Sequence, residues 1–331
     1  MMQRAATATA QLAQLYAPII DHLHDVERVF DRELVCDLPF VEELCDTVRS
    51  YRGKMLRPAL LLLSGHATGT VTDAHHTLAA VVEMVHMATL VHDDVLDGAD
   101  ERRCQPTVGA IAGNEAAVLL GDFLISHAYH LCSSLSDQHA SRSVASATNT
   151  VCEGELLQNH FCKRPALDES DYLEMVLRKT GALTGVACEL GAWCSGADDD
   201  AVAALGRFGR TAGVAFQIVD DVLDIVGDPV EVGKTLGLDW TLGKMTLPVI
   251  HAMANAPAEV VSGIRSFFGT ADRCGRDQLR TWLEEAGSID YAISVARDQT
   301  TVALQSLESL PPSAAKASLS DLAEFIIARH F

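Results

Sequence analysis

The sequence predicts an all-α protein built as a single-domain helical bundle, and two observations carry that prediction. Apolar residues recur at three- and four-residue spacing along most of the chain, the period that buries one face of a helix. Alanine, leucine and valine dominate, aromatic residues make up only 5% of the chain, and no alternating pattern argues for strands.

The periodicity places one long helix over residues 78–95, ended by Gly98 and kept from resuming by Pro106. Further helices are expected over residues 115–135, 143–161, 170–193, 201–226, 246–254 and 314–329. The connections between them are short, as in a packed bundle. No Ser/Gly/Pro-rich seam divides the 331 residues, so one domain over residues 1–331 is expected, in which residues 1–10 could be disordered.

Composition excludes several classes. A net charge of −20 argues against a nucleic-acid partner, which needs a basic face. The most apolar run, around Leu60–Leu63, is far too short to span a membrane, and the N-terminus lacks a signal-peptide pattern. Nine cysteines without a C-x-x-C pair indicate neither a disulfide framework nor a zinc site. A cytoplasmic protein without a membrane span is expected. An anionic substrate would then need cations gathered locally.

One short identity recurs: Asp93-Asp94-Val95-Leu96-Asp97 is repeated as Asp220-Asp221-Val222-Leu223-Asp224. The flanking sequences do not match over a repeat-length unit, which rules out a solenoid. In a helix, Asp93 and Asp97 share a face at i and i+4, as do Asp220 and Asp224, so each pentapeptide offers a chelating pair. Both copies close apolar runs, Met87 to Val91 and Val214 to Val219, where like charges are costly. A single acidic cluster such as Asp198 to Asp200 reads as a solvated helix end. Two embedded copies point to a metal, and oxygen-only donors suit Mg²⁺ shared with phosphate oxygens.

The few basic residues are grouped. Lys54 and Arg57 lie in Gly53-Lys54-Met55-Leu56-Arg57-Pro58, Arg102 and Arg103 follow the first acidic motif, Lys179 stands beside Thr180, and Lys234 and Lys244 follow the second motif. Forked arginine donors and mobile lysine charges suit a diphosphate, which answers how an acidic protein holds an anion. Gly227 to Thr235 is one residue too long for a P-loop and follows a helical segment, so it is set aside. There is no H-E-x-x-H pattern, and His127 with His130 reads as a partly buried helix pair.

From about Gly53 to the C-terminus, the chain resembles the trans-isoprenyl diphosphate synthases, in particular the octaprenyl- and solanesyl-like polyprenyl diphosphate synthases. The first aspartate-rich region is matched by Glu83 to Asp97 with Arg102-Arg103, and the second by Phe216 to Asp224 with Gly233-Lys234 and Gly243 to Pro248. Gly121-Asp122-Phe123-Leu124, Glu153-Gly154-Glu155 and Lys179-Thr180 fall between them in the family's order.

The resemblance implies a bundle of the isoprenoid synthase type with a central cavity, and a homodimer. It implies a transferase that joins isopentenyl diphosphate head-to-tail to an allylic diphosphate. Three Mg²⁺ ions would be bridged by Asp93, Asp97 and Asp220, with Asp221 and Asp224 assisting. Arg102, Lys179, Thr180, Gln217, Lys234 and Lys244 would face the allylic diphosphate, and Lys54, Arg57, His86 and Arg103 would hold isopentenyl diphosphate. Asp93, Asp94, Asp97, Lys179, Thr180, Gln217, Asp220 and Asp221 make up the catalytic set. The Thr180 hydroxyl and the Gln217 amide oxygen would favour an allylic cation, and released diphosphate would take the last proton.

In this family, bulk four and five positions before the first aspartate limits the product. Here those positions hold Thr89 and Ala88, so the tail would run on toward Met84 and a medium- or long-chain product of about C35 to C50 is expected. A geranylgeranyl- or farnesyl-length synthase and a non-catalytic subunit of a heteromeric synthase are the alternatives. The chain departs from the family pattern at Met55, Cys104, Gly181 and Trp240.

Overall fold

The computed structural model describes residues 12–103, 105–162, 167–227, 236–268 and 273–328. The expectation for residues 1–10 and the assignment of Lys234 lie outside the described residues, as does Cys104. The fold is all-α. In chain order the helices are α1 Ile20–Glu33, α2 Pro39–Ser50, α3 Leu56–Thr68, α4 Asp73–Asp97, α5 Val108–Ala112, α6 Asn114–Ser133, α7 Gln138–Phe161, α8 Glu169–Val176, α9 Ala182–Cys194, α10 Asp199–Val226, α11 Leu238–Leu242, α12 Leu247–Asn255, α13 Ala258–Phe267, α14 Arg273–Glu285, α15 Ser288–Ser306 and α16 Ala314–Ile327. A two-residue antiparallel ribbon, β1 Glu101–Arg102 with β2 Gln105–Pro106, follows α4. No helix of the described chain is long and apolar enough to cross a membrane.

The chain groups into two compact units, each made of three segments. One unit holds Met1–Thr148, Leu183–Gly209 and Leu307–Asp321, and the other Asn149–Ala182, Arg210–Ser306 and Leu322–Phe331.

In the first unit α4 is the core helix, packed by α1, α3 and α6. Leu78, Ala79, Ala80, Val81, Val82, Met84 and Val85 are all fully buried, so this half of the helix is apolar nearly all round. It begins at Asp73, five residues ahead of the periodic pattern, because its first turn is polar. Thr72 caps that turn: its backbone N–H donates to His75 Nδ1 at 3.0 Å. The His75 proton therefore sits on Nε2, which donates to the Gly191 carbonyl at 3.1 Å. At the other end Gly98, at φ 62°, supplies the left-handed cap its position foretold.

In the second unit α12 is buried against α8, α14 and α15. The helix expected over residues 170–193 is interrupted. A π-helical turn, Leu177–Gly181, separates α8 from α9 and carries Lys179 and Thr180. Such turns insert an extra residue and are frequent where side chains do chemistry.

Candidate active site

The first acidic motif is the last turn of α4, and its three carboxylates have different surroundings. Asp93 and Asp97 are half-exposed, one turn apart on one helix face. Asp94 is 4% exposed and accepts two hydrogen bonds from Arg102 Nε, at 2.9 and 3.0 Å, while Arg102 Nη2 lies 2.8 Å from its Oδ1. Burial pushes the Asp94 carboxyl up and Arg102 pulls it back. Arg102 thus neutralises Asp94 from β1, a partner the spacing of the motif could not reveal.

The residues assigned to isopentenyl diphosphate lie in the same unit, and two positions among and beside them, Arg103 and Met55, are on strained backbone. Met55 and Arg103 have φ of 50° and 53°, the left-handed region that a side chain disfavours. Met55 is the N-cap of α3, so the departure at this position falls where the chain turns sharply into the helix bearing Arg57. The Arg103 guanidinium donates to the Tyr51 carbonyl and lies where a Cβ on Gly53 would be, which explains glycine beside Lys54. Lys54 is exposed, and its own carbonyl accepts from the Tyr16 hydroxyl at 2.9 Å.

Glu83, 2% exposed on α4, provides the countercharge for this basic group. Burial pushes its carboxyl up, opposed by Arg57, Arg103 and Arg52. One turn on, burial holds the His86 imidazole well below its usual range, aided by Arg57, Arg103 and Arg102, so it is neutral. Arg57 Nε is buried without a hydrogen-bond partner among the described residues, a donor suited to an incoming oxygen.

The second motif closes α10 in a connected polar network. Tyr172 on α8 donates to Asp221 Oδ2 at 2.6 Å, Gln217 Nε2 donates to Asp221 Oδ1 at 2.8 Å, and the Thr180 hydroxyl donates to Gln217 Oε1 at 2.9 Å. Asp221 is pushed up to about 7, chiefly by burial and then by Asp239, with the Tyr172 and Gln217 bonds opposing. Asp220 is half-exposed, whereas Asp224 is 3% exposed and its Oδ2 accepts the Asp239 N–H at 3.3 Å. Lys244 Nζ lies 3.8 Å from Asp239 Oδ1. Lys179 pairs with Glu155 and donates to Gln158 at 3.3 Å. Tyr172, Lys179, Gln217, Asp221, Asp239 and Lys244 line one pocket of this unit.

Small residues hold the π turn in place. A Cβ on Gly154 would lie 2.6 Å from the Lys179 backbone nitrogen, and one on Gly181 would lie 3.0 Å from the Arg210 carbonyl oxygen. The close approach at Gly181 gives a steric reason for glycine at that departure. Trp240 is 3% exposed and meets Phe268 edge-on with ring centroids 5.4 Å apart, so it is a core residue of this unit.

Of the residues tied to product length, Met84 and Ala88 are fully buried in α4, and Thr89 is half-exposed with its hydroxyl donating to the His86 carbonyl at 2.7 Å. Sequence reasoning missed Tyr172, Asp239, Glu83, Tyr51 and Gln158. Only Glu83, opening the apolar run that ends in the first motif, left a visible sign: a carboxylate with no solvated face to occupy.

Solved structures define the class: this is the all-α isoprenoid synthase fold. The chain superposes with a TM-score of 0.93 on a polyprenyl synthase from Caulobacter crescentus described as complexed with calcium and isoprenyl diphosphate, at 30% identity over 96% of this chain and 98% of that one. The polyprenyl synthetase family model matches residues 39–284. The octaprenyl diphosphate synthase of Escherichia coli is 33% identical over 300 residues, 90% of this chain and 92% of that one. The geranylgeranyl diphosphate synthase of Methanosarcina mazei is 36% identical over 288 residues, 84% and 86% of the two chains. The chain belongs to the polyprenyl synthetase family, and its activity is trans-prenyl chain elongation.

Proposed function

We propose that the protein joins isopentenyl diphosphate to an allylic diphosphate with Mg²⁺ and releases a medium- or long-chain polyprenyl diphosphate of about C35 to C50. The carrying observation is the Tyr172–Asp221–Gln217–Thr180 network beside Lys179 and Lys244, which fixes a set of polar groups in a pocket. The donor set fits a hard cation. Asp93 and Asp97 offer half-exposed oxygens one turn apart, and Asp220 with Asp224 offers a second pair without nitrogen or sulfur. Three ions are expected, following the family resemblance.

Magnesium, when bound, supplies positive charge that neutralises a departing diphosphate. The remaining steps use the chain's own residues. Lys179 and Lys244 exchange their contacts with Glu155 and Asp239 for diphosphate oxygens, and Lys234 and Arg102 are assigned to the same anion. Gln217 and Thr180 present oxygen atoms with spare lone pairs, which favour positive charge at the allylic carbon. Lys54, Arg57, Arg103 and neutral His86 bind the second diphosphate and hold its double bond for attack. The released diphosphate then accepts the proton lost from the new chain.

Small Ala88 and Thr89 support the long product, and the octaprenyl enzyme is a relative consistent with it. The geranylgeranyl enzyme at similar identity keeps a shorter product as the alternative. We place the protein in the cytoplasm as a homodimer of one catalytic domain. Cys36, Cys45, Cys132, Cys152, Cys162 and Cys194 are outside disulfides, as in a reducing compartment. Exposed Ile111, Val118 and Leu119 support an apolar subunit contact. A family match over 39–284 that takes in segments of both units supports a single domain.

The test is incubation of the protein with labelled isopentenyl diphosphate, Mg²⁺ and geranyl, farnesyl or geranylgeranyl primers, with products sized by chromatography. Elongation to products of C35 or longer is expected. A C15 or C20 end point overturns the length, and no elongation from any primer overturns the activity.

A further inference from the structure

We propose that His22, Asp25 and His76 form a binding site for a borderline-soft divalent cation of the Zn²⁺ type, with three protein ligands and a fourth position for water. His22 and Asp25 lie at i and i+3 on α1 and share a face, and His76 stands in the first turn of α4. One ligand atom from each of the three lies within 4.8 Å of the others. His22 Nδ1 and His76 Nε2 are 3.0 Å apart, and Asp25 Oδ2 is 3.9 Å from His76 Nε2. A tetrahedral ion with bonds of about 2.0–2.1 Å holds its ligand atoms roughly 3.3–3.5 Å apart, so small side-chain adjustments gather this set around one ion. Two imidazoles and one carboxylate suit Zn²⁺ or Co²⁺ and disfavour Mg²⁺.

The surroundings orient the ligands. Asp73 Oδ1 lies 3.5 Å from His76 Nδ1, and a proton on Nδ1 leaves the Nε2 lone pair facing His22 and Asp25. That is the carboxylate–histidine arrangement by which proteins aim a metal-binding imidazole. Asp25 is held from its other side, since Oδ1 pairs with Arg28. The turn bearing His76 is fixed by its neighbour: His75 is fully buried and bonded to Gly191. His76 itself is 8% exposed, so its ring is held in place by the packing around it.

The site is separate from the acidic motif. His76 and Asp93 are 17 positions apart on one helix, about 25 Å along its axis. An ion here would tie α1 to the start of α4 and act on stability rather than on the transfer reaction.

The experiment uses the full chain, stripped of metal and then placed in excess Mg²⁺ to occupy the oxygen-only sites. Titration with Co²⁺ is followed by visible absorption and equilibrium dialysis. The expected result is one Co²⁺ per chain, displaced by Zn²⁺, with ligand-field bands and without the intense band of thiolate ligation. Binding should persist in Asp93→Ala, weaken at least tenfold in His22→Ala and His76→Gln, and weaken about tenfold in Asp73→Asn. Zn²⁺ should raise the melting temperature of the wild type but not of His22→Ala. His22 is half-exposed, so His22→Ala keeps the proposal testable if the buried His76 variant fails to fold. Absence of Co²⁺ bands, thiolate-type bands, or binding unchanged in His22→Ala and Asp25→Asn overturns the proposal.

Discussion

Tyr172 donates a 2.6 Å hydrogen bond to Asp221, the middle carboxylate of the second acidic motif. The equivalent carboxylate of the first motif, Asp94, is instead held by Arg102. The same pentapeptide therefore holds its inner carboxyl in two ways, one by an ion pair and one by the uncharged donors Tyr172 and Gln217. Tyr172→Phe removes a bond that lowers Asp221, so this carboxyl should rise above its present value of about 7. Where catalysis needs the ionised form, the acidic limb of the kcat/KM profile should move to higher pH. Activity at pH 7 should fall about tenfold and recover in part near pH 9. An unmoved limb would remove Asp221 ionisation from the rate.

Asp93→Ala and Asp220→Ala should each lower kcat by about a thousandfold or more, the scale expected when charge stabilisation is lost at the reacting centre. Both side chains are half-exposed, so circular dichroism should report unchanged helix content. Full activity in either variant would break the metal assignment.

Thr89→Phe should shorten the product, as read by chromatography of the released chains. It is the better probe of the two small positions, because Thr89 is half-exposed while Ala88 is fully buried. Ala88→Phe should also shorten the product, yet overpacking should cost about 1–3 kcal/mol of stability. If both variants make wild-type products, the tail does not pass these residues.

Gly154→Ala should displace the π turn, since its Cβ would fall 2.6 Å from the Lys179 nitrogen. The expected signature is a raised KM for the allylic primer with a melting temperature lowered by the equivalent of about 1–3 kcal/mol. A wild-type KM would mean that the position of the Lys179 backbone does not matter to primer binding.

His86 should make stability acid-sensitive. Its folded-state value is depressed by burial, so the unfolded chain takes up a proton that the folded chain refuses. The stabilisation is present above the unfolded value of about 6.5 and is lost as pH falls below it. The contribution is about 1.4 kcal/mol per pH unit for one proton between pH 6 and 5. His86→Gln should flatten the fall in unfolding free energy, read from urea titrations, over that range by this amount, and an unchanged slope would show that His86 is protonated in the folded state.

Much of the architecture could be read from residue order alone. Periodicity located α4, α6, α7, α10, α12 and α16 to within a few residues, because a buried helix face must repeat at the pitch of the helix. The acidic pairs were legible for the same reason, since i and i+4 share a face wherever the chain is helical. Family membership followed from motifs that are local in sequence.

Packing decided what each charge in those motifs does. Asp94 and Asp221 occupy the same place in identical pentapeptides, yet one meets Arg102 eight positions further along the chain and the other meets Tyr172 from 49 residues away. The π turn at Lys179 likewise packs closely on Gly154 and, at Gly181, on the Arg210 carbonyl, and the Arg103 guanidinium packs on Gly53. Residue order specifies which groups are on a helix face. Only burial and long-range hydrogen bonding settle which of them keep their charge, because desolvation and partner distance are properties of the folded chain.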